Sequence, residues 1–222
     1  MTEDLRGLLQ GALLTAAALF PIVNPLGIAP IFLILTRNLS DRERRVLARK
    51  VAVNGLILLL ASLFVGDMVL AFFGVTVPVV QVAGGLVVAS LGWRLLQAPD
   101  EDQEARAPES YASIESKALY PLTLPLTVGP GSISVAITLG ANFPSTPQPF
   151  VWDAASATIG ILLVALSIYV CFAYADALSR RLGPRGLAVV MRLSAFILLC
   201  IGVQIMWNGA DGLFRITERI GG

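Results

Sequence analysis

Between Val51 and Trp93 the only charged side chain is Asp67. A helix rises 1.5 Å per residue, so about 20 apolar residues cross roughly 30 Å of hydrocarbon. This stretch is too long for one crossing and must turn back. FFGVTVP, with Gly74 and Pro78, is where a turn is easiest to make. Apolar runs of the same character fall near 7–36, 46–73, 77–97, 118–141, 151–178 and 187–207. They predict an all-α integral membrane protein of six transmembrane helices, a single membrane domain over 1–222. Composition agrees, with 56% hydrophobic and 14% charged residues against about 25% charged in soluble domains.

Basic residues set the orientation. Of 16 lysines and arginines, 13 fall in the first, third and fifth connections, and the connections around 67–77 and 142–152 have none. The odd-numbered connections, including a loop at 98–117, are therefore expected in the cytoplasm, with both termini outside. A multi-pass location in a membrane is expected. The acidic start MTEDLRG lacks a basic n-region, so no cleaved signal peptide is expected. A net charge of +1 without a basic cluster of the required kind argues against nucleic acid. Histidine is absent, and Cys171 and Cys200 lie in apolar runs, where they read as small hydrophobes rather than a disulfide.

The first and fourth runs contain breaks. PIVNPLG (21–27) and PLTVGPG (125–131) resemble one another at a shift of 104 residues. Asp67 with Gly74 matches Asp176 with Gly183 at a shift of 109, and AGGLVVASLGWRLL matches LSAFILLCIGVQIM at 110. Three matches in sequence order predict an inverted repeat of 3+3 helices, about 8–97 and 118–213, with the first and fourth helices broken near the midplane.

Any one of these prolines reads as a packing kink; the matched pair reads as a site. Proline removes a donor and glycine leaves helical angles cheaply, so the segments should unwind. Unwound backbone at membrane depth must be buried in protein or line a wet cavity. Its carbonyls suit a cation, and the restarted helix N-termini suit an anion. A small zwitterion needs both. Asn24, Pro25, Gly27, Thr127, Gly129, Gly131 and Ser132 are the candidate substrate-binding residues, and Thr123 and Ser134 add hydroxyls nearby. The symmetry-related Asp67 and Asp176, with Arg192, are candidates for coupling to protons or sodium. For Asp176, the following Arg180 and Arg181 favour an interfacial salt bridge. No catalytic residue, cofactor or metal-ligand spacing is found, and no enzymatic activity is expected.

NPLGIAPIF, FGVTVPVVQVAGGLVVASLGWRLL, PLTLPLTVGPGSIS and RLSAFILLCIGVQIMWNG resemble the signatures of the MarC family of bacterial inner-membrane proteins, over about residues 8–213. The family includes small neutral amino acid transporters. The resemblance thus implies secondary transport of a small neutral amino acid or similar zwitterion across the plasma membrane. The alternatives are an exporter of another small metabolite and a non-transporting membrane scaffold or regulator. Membrane lipid is a necessary partner, and a homo-oligomer is compatible with the sequence.

Overall fold

The structure, a computed structural model, describes residues 2–36, 38–97, 118–144 and 146–221. The expected loop 98–117 lies outside the described residues. Helix α1 (Thr2–Val23) stops at Asn24, and α2 (Pro25–Leu35) restarts at once. Ser40 opens α3 (Asp41–Phe72) with a capping box, in which Ser40 and Glu43 satisfy each other's backbone donors. Gly74, at φ 67°, closes α3. The Val75 N–H donates to the Leu70 carbonyl at 3.0 Å and the Gly74 N–H to Ala71 at 3.1 Å, a Schellman ending. This is the turn foreseen at FFGVTVP, and α4 (Val77–Gln97) follows it.

The second half starts differently. Ala118–Thr127 forms a π-helix, α5, followed by α6 (Pro130–Ala141), α7 (Pro147–Ala173) and α8 (Ala175–Gly221). The path of α8 breaks at Gly183, where φ is 64°.

The expected count of six spanning helices is corrected here. Among the described residues five segments are long and apolar enough to cross: Leu5–Leu33, Asp41–Phe72, Val77–Gln97, Phe150–Ala173 and Ala188–Ile216. The apolar run 118–141 is not one helix. It divides at Val128 and Gly129, and the 12 residues of α6 rise only about 18 Å, short of the hydrocarbon thickness. The halves are therefore not two equal sets of three spanning helices. The physical reason lies in Pro121 and Pro125, which withhold the N–H groups an α-helix needs. There the backbone widens to i→i−5 bonding, with the Val128 N–H donating to Thr123 at 2.8 Å. Five crossings among the described residues do not by themselves return the chain to its starting side, so the outside placement of both termini no longer follows from the helix count.

Two packing regimes hold the helices. One is a continuous apolar core contributed mainly by α1, α2, α3, α5 and α7. In it Phe32 stacks on Phe172 with ring centroids 4.5 Å apart. The other is the seam between α4 and α8, where glycines bring backbone against backbone. A Cβ on Gly85 would sit 2.6 Å from the Gly202 carbonyl oxygen, and one on Gly92 2.6 Å from the Leu199 nitrogen. Small residues at such seams let helices gain contact area where lipid offers no hydrophobic drive.

Outside these seams the surface is apolar: Met68 is 72% and Phe72 84% exposed, with Leu13, Ile57, Leu166 and Phe196 also outward. Patches of this extent are foreign to water-soluble monomers and natural against acyl chains. Cys200 is exposed on this surface rather than buried, while Cys171 is half-buried, and both are free thiols.

Candidate functional site

Asn24 occupies the left-handed region at φ 48°, which asparagine tolerates better than most residues. Its N–H still bonds back to the Phe20 carbonyl at 2.8 Å, and its carbonyl accepts from Ile28 at 3.1 Å. Its side-chain Oδ1 accepts the Gly27 N–H at 3.1 Å. Asn24 is thus the N-cap of α2, and Pro25 takes the first helical position, where a missing N–H costs nothing. The same Pro25 denies a donor to the Pro21 carbonyl four residues back. Gly27 is needed for room, because a Cβ there would lie 2.5 Å from Asn24 Nδ2. The free N–H expected near Gly27 is therefore already used. What remains is Nδ2, which has no acceptor among the described residues.

At the second break Gly129 is extended (φ −99°, ψ −179°) and Pro130 takes the first helical position. No side chain caps α6. The first intrahelical bond is Ile133 N–H to the Gly129 carbonyl at 3.1 Å, so the N–H groups of Gly131 and Ser132 have no intrahelical acceptor. Asn24-Pro25 therefore corresponds to Gly129-Pro130, one residue off the sequence match of the two segments. One break carries a cap and the other does not.

The candidate hydroxyls are engaged locally. Thr123 Oγ1 donates to the Ala118 carbonyl at 2.5 Å and Thr127 Oγ1 to Leu122 at 2.6 Å, each five residues back. Both threonines are buried, and these bonds follow the π-helical spacing. Ser132 Oγ donates to Gly129 at 3.0 Å, and Ser134 Oγ crosses to the Val80 carbonyl of α4 at 3.1 Å. Beside that crossing, Gln81 Nε2 donates to Thr138 Oγ1 at 3.1 Å. These hydroxyls keep acceptor lone pairs but have spent their protons on the fold.

The breaks come together through Ile22. A Cβ on Gly131 would lie 3.5 Å from Ile22 Cγ2, and Val88 of α4 closes the same point from the other side. Beside Ile22 lies a cavity of about 50 Å³, lined by Asn24, Gly27, Ile28 and Ile31 of the first break and by α4 and α8. It has room for a few waters. Among the described residues, no lining side chain is ionisable. Its far wall (Leu91, Leu95, Met191 and Leu198) was invisible to sequence reasoning, since nothing local marks these apolar residues as facing a break.

The three coupling candidates lie elsewhere. Asp67 is exposed on α3, one residue past Gly66, which packs on Ile137 of α6. Asp176 pairs with Arg180 at 2.7 Å, the salt bridge its neighbours suggested. Arg192 is exposed on α8 and does not line the cavity.

Five long apolar helices under an outward apolar surface, with two helix restarts packed near one another at Ile22, define a multi-helix integral membrane protein. The chain belongs to the MarC family: the family described as "MarC family integral membrane protein" matches residues 9–214. It is 29% identical over 202 residues to the UPF0056 membrane protein YvbG of Bacillus subtilis, covering 90% of this chain and 93% of that one. It is 31% identical over 206 residues to the UPF0056 membrane protein MJ1677 of Methanocaldococcus jannaschii, with coverage of 92% and 98%. To the UPF0056 inner membrane protein MarC of Salmonella typhimurium it is 32% identical over 204 residues, with coverage of 86% and 90%. No solved structure matches the chain.

Proposed function

We propose that this protein is a secondary transporter of small neutral amino acids in the bacterial inner membrane, moving its substrate unchanged by alternating access. One observation carries the reading: two helix restarts meet at Ile22, one capped by Asn24 and one uncapped. The uncapped N-terminus of α6 suits a carboxylate, through the Gly131 and Ser132 N–H groups and the helix dipole. The Pro21 carbonyl, deprived of its donor by Pro25, suits an ammonium, and Asn24 Nδ2 offers one more donor. An uncharged apolar wall favours a substrate with no net charge and a small side chain. The cavity of about 50 Å³ is small for an amino acid and no residue of α6 lines it, so transport requires it to widen toward Gly131 and Ser132.

Uptake into proteoliposomes of the purified protein tests this. Labelled glycine, alanine and serine should accumulate above empty vesicles and saturate, while glutamate and lysine should not. Imposing a proton or a sodium gradient identifies the coupling ion. No uptake of any neutral amino acid under either gradient would favour the metabolite exporter or the scaffold.

The basic start of α3 is taken to face the cytoplasm. With Cys171 and Cys200 replaced by serine, a cysteine at Thr76 should react with an impermeant maleimide in intact cells. One at Asn38 should react only after permeabilisation. Both positions are exposed at opposite ends of α3. Labelling of both from outside would reject this orientation.

A further inference from the structure

We propose that the first turns of α3 form a binding site for an anionic phospholipid, its headgroup held by Arg42, Arg45 and Arg49 and its acyl chain lying along Val53 and Ile57. A helix advances about 100° per residue, which puts these five residues and Val46 within roughly 120° of one face. All six are exposed. From Arg42 to Arg49 the helix rises seven steps, about 10 Å along the axis, on the scale of one headgroup layer. Below them the same face turns apolar, with Val53 46% and Ile57 59% exposed, so one stripe passes from cationic to lipophilic as a phospholipid does from phosphate to chain.

The nearby acids do not neutralise this face. Asp41 pairs with Arg44 at 3.2 Å, and Arg44 itself turns inward from the stripe. Glu43 is held by Ser40, accepting from its N–H at 2.9 Å and its hydroxyl at 2.7 Å. Among the described residues, none acts as an ion-pair partner to Arg42, Arg45 or Arg49. Three guanidiniums without an ion-pair partner among the described residues, beside a membrane, select a lipid whose phosphate charge is not balanced by its own headgroup amine. Each basic residue at such a surface strengthens binding about fivefold, so three give a preference on the order of a hundredfold.

Native mass spectrometry of the detergent-purified protein, offered equal amounts of phosphatidylglycerol and phosphatidylcholine, tests the site independently of transport. The wild type should retain phosphatidylglycerol preferentially. Arg49→Gln should weaken that preference about fivefold, and the triple variant R42Q/R45Q/R49Q should bring the two lipids near parity. The double variant R181Q/R185Q, which removes charge from exposed positions on α8, should leave it unchanged. Millimolar inorganic phosphate should not displace the lipid, because it lacks the chain. Retained preference in the triple variant, equal loss in the α8 variant, or displacement by phosphate would each overturn the proposal.

Discussion

Gly202→Leu should fail to yield a monodisperse protein. A Cβ at this position meets the Ala89 nitrogen, lies 2.7 Å from Ala89 Cα and 2.8 Å from the Gly85 carbonyl oxygen. These are backbone atoms of another helix and cannot rotate aside. A leucine must push α8 away from α4 and forfeit contacts along the whole seam, including those at Gly92 and Gly209. The cost should be about 3 kcal/mol or more, at the upper end for overpacking. Gly202→Ala should show the same defect in milder form, since the Cβ alone collides. Gly7→Leu should be harmless, because nothing lies within 4 Å of the atom it would add. Size-exclusion chromatography and thermal unfolding in detergent read all three. A Gly202→Leu protein as stable as the wild type would mean that α4 and α8 are not held by this seam.

Asn24→Asp should fold, insert and transport poorly. The carboxylate keeps an oxygen for the Gly27 N–H, and its negative charge at the start of α2 is favourable. It loses only the Nδ2 donors, which no described residue accepts. If those donors meet the substrate carboxylate, kcat/KM for uptake should fall roughly 10- to 100-fold, the range for a hydrogen bond to a charged group. Asn24→Ala is a different experiment. It removes the cap, worth about 1 kcal/mol, and places alanine in left-handed angles that cost about 1–2 kcal/mol more. Its main defect should be stability, seen in thermal unfolding before any uptake is measured. Wild-type transport by Asn24→Asp would reduce Asn24 to a cap and move the substrate's donors to α6.

The breaks were legible because proline and glycine act locally. Pro25 cannot give its nitrogen to Pro21 in any fold, and Gly129-Pro130 cannot continue a helix smoothly. The turn after Phe72 was legible for the same reason, Gly74 being able to take the left-handed angle of a Schellman ending. What Asn24 does was not legible. A short amide beside a break caps the next helix or meets a ligand, and only the 3.1 Å bond to Gly27 shows that its oxygen is taken. The local engagement of the Thr123 and Thr127 hydroxyls was not legible either, since their bonds five residues back follow the π-helical spacing of the backbone.

The sequence by itself determined that this chain lives in a membrane, where its helices are interrupted, and to which family it belongs. The first two follow from apolar run length and from covalent limits on proline and glycine, neither of which depends on distant residues; the family follows from the likeness to its other members along residues 9–214. The tertiary structure showed how the broken run 118–141 is built, a π-helix over Ala118–Thr127 followed by the short α6. It also decided that Ile22 and Val88 meet over Gly131, and that Leu91, Leu95, Met191 and Leu198 wall the cavity beside Asn24. An apolar residue carries the same hydrophobic drive against lipid, a seam or a cavity wall, so only the packed arrangement of the helices assigns it to one of them.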